Sequence, residues 1–526
     1  TDRGTGNFII DEAAFRMSDL LAFELAIERG HPGSVMCAYN LVGGLHACES
    51  PFLLTEVLRR DWGWQGYVMS DWGAAHSTAG STNAGLDQES GYGLQRAAWF
   101  GADKLGDALA KGDIAPARID LMASRVLTAM FANGLIDDPV TGSAGPADFT
   151  ANRAVAQRDA EAGIVLLKND GELLPIAATA KRIAVIGGHA DKGVISGGGS
   201  SQVYPDGGNA VPGVGPKRWP GPAIFYPSSP VEELKKLLPG ASVDYAGGDD
   251  PAAAVELAKA ADLVIVFGTQ WAGEGSDVPL HLDDGQDALI DTIAAANRHT
   301  GGVLETGGPV LTPWAADVPA MLEAWYPGRM GGAAIANVLT GKVNPSGRLP
   351  MTFPKSLDQL PYPGEPRKKE ATYTEGATVG YKWFDAKGLQ PQFAFGHGLS
   401  YTTFAYSGLK LARDKHGLVA TVTVSNTGDR SGGDAVQLYV SPPPGARWEA
   451  PKRLAGFAKV MLWPGHTTRV SIAIDPRLLA VWDTAKPGWS RTAGAYTVAV
   501  GRSSRDLGAS VAVTLPASHL PPQWKP

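Results

Sequence analysis

Two short apolar segments separated by a helix-like segment place the strongest constraint on the fold of this 526-residue chain. The segments are GSVMCAYN (33–40) and GYVMSDW (66–72), and each holds a short continuous apolar run rather than an alternating one. Such runs are typical of parallel strands that are buried on both faces. Between them lies FLLTEVLRR, which follows Ser50 and Pro51; Pro51 suits the first helical position, where its missing N–H costs nothing. Strand, helix and strand in this order predict part of a β/α barrel.

A helix is predicted ahead of the first strand. Apolar residues recur at helical spacing between Asp11, which can cap the helix, and Gly30, which can end it. We therefore expect one continuous helix over residues 11–30. A second long helix is predicted over DLMASRVLTAMFANGL, downstream of the strands.

The rest of the chain shows two further patterns. RIAVIGG and DLVIVFGT alternate with helix-like segments, which predicts a second parallel sheet. Later segments, such as LVATVTVSN and AVQLYVS, alternate with period two. We therefore expect a multidomain α/β plus β protein: a partial (β/α)8-type barrel over residues 1–136, a linker over 137–150, an α/β sandwich domain over 151–354, a connector over 355–400 and a C-terminal fibronectin type III-like β-sandwich over 401–526.

Composition excludes several classes of function. The formal net charge of -7 leaves no broad basic surface, so the sequence favours no nucleic-acid partner and no membrane partner. The ten histidines show no HExxH-like spacing, so no zinc site is expected. Two cysteines, Cys37 and Cys48, are compatible either with a disulfide or with two buried thiols.

Asp71 stands at the end of the second apolar segment, beside Trp72. In a β/α barrel, side chains at the carboxyl ends of strands project into the active-site cleft. A carboxylate there can act as a nucleophile while an indole forms a flat wall for a sugar ring. From its position alone, capping the helix that follows is the favoured role for Asp71, and catalysis is the alternative.

Longer motifs carry a family resemblance. The segments GSVMCAYN, LLTEVLRRDWGWQGYVMSDWGAAHS and NAGLDQES resemble glycoside hydrolase family 3, the β-glucosidase family. The resemblance continues through GGGSSQV and FGHGLSYTTF and covers essentially the whole chain. It implies a barrel, an α/β sandwich and a fibronectin type III-like domain, and chemistry that needs no metal and no organic cofactor.

The resemblance also implies roles for two carboxyl groups. Asp71 matches the nucleophile of the SDW motif, and Glu274 of WAGEGSD matches the acid/base. A retaining glycosidase needs such a pair, one ionised and one protonated. We expect apolar or anionic surroundings to raise the pKa of Glu274. Glu89 and Asp277 are weaker candidates.

Sugar-binding roles follow from the same comparison. Trp72 resembles the sugar platform and Tyr39 the tyrosine beside the nucleophile. Arg3 resembles an arginine that can bind sugar hydroxyls and keep the nucleophile ionised. Ser200 or Ser201 is expected to contact the sugar from the second domain. Trp271 is expected either to line the aglycone side or to serve in packing.

The chain departs from the family pattern at its beginning. Family members carry, upstream, the first half of the barrel with an Asp and a Lys-His pair that bind sugar hydroxyls. Residues 1–136 correspond to the C-terminal half of the barrel only. We therefore expect the upstream half-barrel to come from a separate chain or from a further part of the same polypeptide, and the 526 residues alone to be nearly inactive.

The resulting functional hypothesis is a retaining, exo-acting β-glycosidase. A β-glucosidase that acts on β-glucosides or short β-glucans is favoured, and a β-xylosidase or another exo-glycosidase of the family is the alternative. The N-acetylglucosaminidase branch is disfavoured because its acid/base lies on a barrel loop. A non-catalytic carbohydrate-binding subunit is the alternative from another class. We expect a periplasmic or extracellular location.

Overall fold

The computed structural model describes residues 3–91, 98–140, 142, 145, 147–275, 277–363, 369–414 and 417–525. Its N-terminal part holds five strands, five helices and one helix of the π type. The strands are β1 (Asn7–Ile9), β2 (Ser34–Cys37), β3 (Leu41–Val42), β4 (Leu45–His46) and β5 (Tyr67–Ser70). The helices are α1 (Glu12–Met17), α2 (Asp19–Gly30), the π-helix Phe52–Asp61, α3 (Thr78–Ala84), α4 (Ala102–Lys111) and α5 (Pro116–Ala132).

The predicted pair of buried parallel strands is present. β2 and β5 pair in parallel, from Ser34 with Tyr67 to Cys37 with Ser70. On the side of β5 away from β2, Met69 forms a single parallel bridge with Gln88. The carboxyl ends of these strands therefore lie side by side, which brings the residues after them to one edge.

The expectation of one continuous helix over residues 11–30 is wrong. The helix is interrupted at Ser18, whose backbone lies at φ -112° and ψ -91°. The Ser18 hydroxyl donates to the carbonyl of Ala14 at 2.8 Å, and its N–H donates to the same carbonyl at 3.0 Å. A serine that binds the backbone four residues earlier competes with regular helix geometry. Asp11 does cap α1, since its carboxylate accepts from the N–H of Ala14.

Cys37 and Cys48 form a disulfide, with Cα atoms 5.2 Å apart. The bond joins the end of β2 to the short turn that follows β4. Cys48 is fully buried and packs in the same apolar cluster as Leu54 and Val68. The disulfide therefore ties the strand edge to the core of the N-terminal part.

The second region is an α/β domain. Its strands are β6 (Val165–Asn169), β7 (Arg182–Ile186), β8 (Val194–Ser196), β9 (Ile224–Tyr226), β10 (Ser242–Ala246), β11 (Leu263–Thr269), β12 (Thr300–Glu305) and β13 (Ala320–Glu323). Its helices are α6 (Phe149–Gly163), α7 (Pro230–Leu237), α8 (Pro251–Ala260), α9 (Gln286–Ala296) and α10 (Gly331–Leu339).

The main sheet of this domain has six strands in the order β10-β7-β11-β12-β13-β6. All neighbours are parallel except β6, which pairs antiparallel with β13 at the edge. Separate apolar clusters cover the two faces, one around Val185 and Ile265 and the other around Ala184 and Val264. Alternate residues of one strand therefore serve opposite cores, as expected for a parallel sheet between helix layers.

The C-terminal region is a β-sandwich, preceded by the short strand β14 (Glu370–Thr372) and helix α11 (Tyr381–Ala386). Its strands are β15 (Phe404–Arg413), β16 (Leu418–Asn426), β17 (Gly432–Ser441), β18 (Arg453–Leu462), β19 (Thr467–Ile474), β20 (Val481–Asp483), β21 (Gly488–Arg491), β22 (Gly494–Ser503), β23 (Asp506–Leu515) and β24 (Ser518–Leu520). Antiparallel sheets β15-β16-β19 and β18-β17-β22-β23 enclose one apolar core. Strict alternation of burial along β16 shows why period two predicted this fold.

Two contacts connect the N-terminal part with the C-terminal part of the chain. β14 from the connector pairs in parallel with β1 near the N-terminus. Arg477 of the sandwich, fully buried, forms ion pairs with Glu24 and Glu28 of α2 and with Asp475. Burial raises the pKa of Glu24 to about 7, while the charge of Arg477 opposes this rise. None of the helices in the described part of the chain is both long and apolar enough to cross a bilayer.

Candidate active site

A cleft of about 1510 Å³ lies where the carboxyl end of β5 faces the loops of the α/β domain. Its walls come from the N-terminal residues, from the ends of β2 and β5, and from the loops after β8, β11, β12 and β13. The predicted residues that line it are Arg3, Tyr39, Asp71, Trp72, Ser200, Ser201 and Glu274. The structure thus brings both predicted carboxyl groups to one cavity.

Asp71 directly follows β5, and its backbone N–H donates to the carbonyl of Cys37 at 3.1 Å. Its Oδ1 atom accepts two hydrogen bonds, from Tyr39 Oη at 2.8 Å and from the N–H of Trp72 at 2.7 Å. Burial, followed by the hydrogen bond to Asp71, raises the pKa of Tyr39 to about 12. Tyr39 therefore keeps its proton at neutral pH and acts as a fixed donor to the carboxylate.

Glu274 lies on the loop after β11 and has one partner for each oxygen. Oε1 accepts from Arg3 Nη2 at 2.6 Å, and Oε2 accepts from the N–H of Ser200 at 2.6 Å. Hydrogen bonds from Ser200, with a further contribution from Arg3, hold the pKa of Glu274 below its ordinary value. The expectation of a raised pKa is therefore wrong, because donors to the ionised form surround this carboxyl group.

The Glu274 loop is held by backbone contacts with the glycine-rich loop after β8. Gly198 donates to the carbonyl of Ala272 at 3.0 Å, and Glu274 donates to the carbonyl of Gly198 at 3.1 Å. The next residue, Gly199, has a φ of +103°, and an added Cβ would lie 2.2 Å from the Cβ of Glu274. Only glycine allows the two loops to approach this closely.

Arg3 lies in the cleft, but its carboxylate partner differs from the predicted one. Its guanidinium pairs with Glu274 at 2.6 Å and lies 5.5 Å from the centre of the Tyr39 ring. We expected Arg3 to keep Asp71 ionised. In the structure, Tyr39 and the N–H of Trp72 are the donors to Asp71, and Arg3 serves the second carboxyl group instead.

Aromatic side chains form much of the cleft wall. Trp72 is 49% exposed and lines the cleft, as a sugar platform requires. Trp271 lies behind the wall. Its ring would lie 2.4 Å from a Cβ added at Gly198 and 2.6 Å from one added at Gly273, and it packs against a small apolar core. Of its two predicted roles, the structure therefore places Trp271 in packing and outside the residues that line the cleft.

The weaker acid candidates lie outside the cleft lining. Glu89 Oε2 accepts from the N–H of Phe100 at 2.7 Å, which gives this carboxylate a local structural partner. Asp277 is exposed on the loop beyond Glu274. Neither side chain shares the cleft with Asp71, as Glu274 does.

Sequence reasoning missed two aromatic residues of the cleft. Tyr326 Oη accepts from the N–H of Ala272 and donates to the carbonyl of Gln270, both at 2.8 Å, and so supports the Glu274 loop. The segment AWYPG, which contains Tyr326, carries no sign of this contact. Trp219 is 65% exposed and lines the cleft, within a Gly- and Pro-rich segment that has no periodicity to indicate its position.

Family models match three parts of the chain. Residues 1–129 match the glycosyl hydrolase family 3 N terminal domain, and residues 164–401 match the family 3 C-terminal domain. Residues 434–504 match a fibronectin type III-like domain. An exo-alpha-(1->6)-L-arabinopyranosidase of Bifidobacterium longum is 34% identical over 98% of this chain and 68% of its own length. The chain belongs to glycoside hydrolase family 3.

Further family 3 relatives include a thermostable beta-glucosidase B of Acetivibrio thermocellus, 32% identical over 96% of this chain and 66% of its own length. The chain thus spans about two thirds of the length of these curated relatives. Among solved structures, DesR, a beta-glucosidase from Streptomyces venezuelae in complex with D-glucose, aligns with a TM-score of 0.88 and 31% identity. This alignment covers 98% of the chain and 80% of DesR.

Family 3 membership makes the chain a glycoside hydrolase and confirms the expected fold class, with both family 3 domains and a C-terminal fibronectin type III-like β-sandwich. None of these comparisons supports a separate chain that would supply an upstream half-barrel. Over the described residues, no group of three or more His, Cys, Asp or Glu side chains could hold a metal ion.

Proposed function

We propose that the protein is a retaining, exo-acting β-glucosidase that removes terminal β-D-glucosyl residues from β-glucosides or short β-glucans. The observation that carries the proposal is the placement of Asp71 and Glu274 in one cleft beside the exposed indole of Trp72. Two carboxyl groups that share a cleft with an aromatic wall are what glycoside hydrolysis requires. Relatives named as beta-glucosidases, and the DesR complex with D-glucose, support this choice of substrate.

In the first step, Asp71 attacks the anomeric carbon and the bond to the leaving oxygen breaks. The leaving oxygen takes the proton of Glu274, so the departing alcohol is neutral. In the second step, Glu274 accepts a proton from water, and the water oxygen replaces Asp71 on the sugar. Tyr39 and the N–H of Trp72 hold one oxygen of Asp71, which fixes the orientation of its carboxylate.

Glu274 must be protonated for the first step, whereas its present contacts favour the ionised form. We infer that a bound substrate changes these contacts. A leaving-group oxygen at Glu274 competes with Arg3 for the carboxyl group, and loss of the Arg3 contact raises the pKa of Glu274. Arg3 then becomes available to bind sugar hydroxyls. Ser200, which contacts the same carboxyl group, is close enough to bind them as well.

The test is a panel of aryl glycosides assayed with the protein, with the product anomer followed by NMR early in the reaction. We expect the β-D-glucoside to be hydrolysed fastest, with β-glucose as the first product. Release of α-glucose would contradict the retaining mechanism. Glucose binding without turnover of any glycoside would instead support a carbohydrate-binding subunit.

Two other terminal sugars belong in the panel. The β-D-xyloside tests the β-xylosidase alternative within the family. The α-L-arabinopyranoside is included because the relative from Bifidobacterium longum is named an exo-alpha-(1->6)-L-arabinopyranosidase. If either is preferred over the β-D-glucoside, that sugar replaces glucose as the proposed substrate, and the roles of Asp71 and Glu274 are unchanged.

We also propose a periplasmic or extracellular location. The disulfide between Cys37 and Cys48 supports it, because such bonds persist in oxidising compartments. Fractionation of the native source, with an antibody against the protein, tests this proposal. Recovery in the cytoplasmic fraction with both thiols reduced would contradict it.

A further inference from the structure

A second cavity lies at the point where the order of the parallel strands reverses in the α/β domain. β7 precedes β10 and β11 in the chain but lies between them in the sheet. The connection that leaves β7 leads to β10 on one side, whereas the connection that leaves β11 leads to β12 on the other, and a crevice opens between β7 and β11 at the carboxyl ends of the strands. In open α/β sheets, ligands bind in the crevice at such a switch point.

The crevice is an open pocket of about 390 Å³. It is separate from the cleft that holds Asp71 and Glu274, although the loop after β11 contributes to both. We refer to it as the switch-point pocket. Its walls come from the turn 187–189 after β7, the turn 247–249 after β10, the end of β11 with Trp271, and the segment 283–292 that includes the start of α9.

Glycine-rich turns keep the pocket open at two adjacent strand ends. Gly187 and Gly188 have φ values of +79° and +64°, and Cβ atoms added there would lie 2.9 Å and 2.5 Å from atoms of Phe267. The turn after β10 contains Gly248 at φ +91°. Small residues in these turns leave space above the sheet that side chains would otherwise fill.

Carboxylates are the charged groups of the pocket. Asp249, Asp283 and Asp284 line it together with His189, and its described lining contains no Lys or Arg. An anion such as phosphate would meet carboxylates without a compensating cation, which disfavours it. A ligand with several hydroxyl donors fits this set of acceptors better.

An apolar wall complements these acceptors. Trp271, Phe225 and Phe267 line the same pocket. The Nε1 atom of Trp271 is buried and has no hydrogen-bond partner among the described residues. An indole wall, carboxylate acceptors and an unpaired donor are the groups that bind a sugar ring through its apolar face and its hydroxyls.

We propose that the switch-point pocket binds a neutral pyranose monosaccharide, in addition to any sugar bound beside Asp71. Its location on the far side of Trp271 places the ligand behind the loop that carries Glu274. The volume of the pocket lies within the range typical of small-molecule sites.

The test measures D-glucose binding by isothermal titration calorimetry. The background is the full chain with Asp71→Ala and Trp72→Ala, which weaken binding in the active-site cleft. We expect saturable binding of one glucose in the millimolar range, and we expect inorganic phosphate to give none. Absence of saturable glucose binding, or tighter binding of phosphate, would overturn the proposal.

Two substitutions on α9 locate the site. Ala288 is exposed and lines the pocket, whereas Ala295 is exposed on the same helix and outside the pocket lining. Ala288→Phe should weaken glucose binding at least about tenfold by filling the pocket, and Ala295→Phe should leave it unchanged. The assignment would be overturned if both variants bound glucose as tightly as the background protein does, or if both lost affinity equally.

A third variant tests the site without filling it. Trp271→Phe keeps an aromatic wall and removes the Nε1 donor, so we expect glucose to bind several-fold more weakly. Unchanged affinity in a folded Trp271→Phe protein would contradict the role given to this donor. Thermal unfolding of all variants beside the background protein shows that they are folded.

Discussion

Substitution of Gly199 by alanine tests how the glycine-rich loop positions Glu274. Gly199 has a φ of +103°, and an added Cβ would lie 2.2 Å from the Cβ of Glu274 and 2.8 Å from its Oε2. Ordinary van der Waals contact begins at 3.4 Å, so the two loops must separate by about 1.2 Å. Glu274 would then be displaced from the leaving group that it protonates.

The expected magnitude follows from this displacement. Misplacement of a reacting group by about 1 Å costs on the order of 100-fold in rate. We therefore expect Gly199→Ala to lower kcat/KM about 100-fold for an alkyl β-glucoside, whose leaving group needs protonation. An aryl glycoside with an activated leaving group should lose only about tenfold, because it depends less on the general acid.

Gly208→Ala is the matched control. Gly208 lies in the same domain at a φ of +81°, but an added Cβ would meet nothing within 4 Å. Both variants carry the backbone cost of a left-handed alanine, about 1–2 kcal/mol, and should lose a few degrees in Tm. Only Gly199→Ala should lose more activity toward the alkyl β-glucoside than toward the activated aryl glycoside. If both variants retain full activity, or both lose it equally for the two substrates, the reasoning is refuted.

Three further predictions concern ionisable groups. Arg3→Met removes a donor to ionised Glu274, so the pKa of Glu274 should rise. The alkaline limb of the plot of kcat/KM against pH should then shift to higher pH, and an unchanged limb would contradict this prediction. Tyr39→Phe removes a hydrogen bond to Asp71 and should lower kcat about 10- to 100-fold, with Tm nearly unchanged; full activity would show that the bond has no part in turnover. The pKa of Glu24 is raised to about 7, so its contribution to stability is complete below about pH 4.5 and is lost as the pH rises through about 7. The Tm should therefore fall less over this pH range in Glu24→Gln than in the parent protein, and identical curves of Tm against pH would contradict the assignment.

Much of the fold could be predicted from local pattern. The apolar runs of β2 and β5 predicted parallel pairing, and the alternation along β16 predicted a sandwich, because both patterns report burial directly. The break between α1 and α2 could not be predicted, since apolar spacing continues through Ser18. It depends on a hydroxyl that binds the backbone, which periodicity does not report.

The two carboxyl groups of the candidate site could be predicted from the sequence, but some of their surroundings could not. Asp71 and Glu274 were found through motifs, and the structure places both in one cleft. The partner of Arg3 was not found, because the choice between two carboxylates depends on how the N-terminal residues cross the cleft. Sequence reasoning also left the role of Trp271 open, since a tryptophan next to an active-site loop can lie on either side of it.

Covalent trapping of the nucleophile is the most direct test of the central claim. The protein is incubated with a 2-deoxy-2-fluoro-β-glucosyl inactivator, and intact mass and peptide mapping then locate the label. We expect one label per chain, on Asp71, and no label in Asp71→Asn. Glu89→Gln is the matched control and should be labelled like the parent protein. A label on Glu89 or Glu274, or turnover of the inactivator without any covalent adduct, would contradict the assignment of Asp71 as the nucleophile.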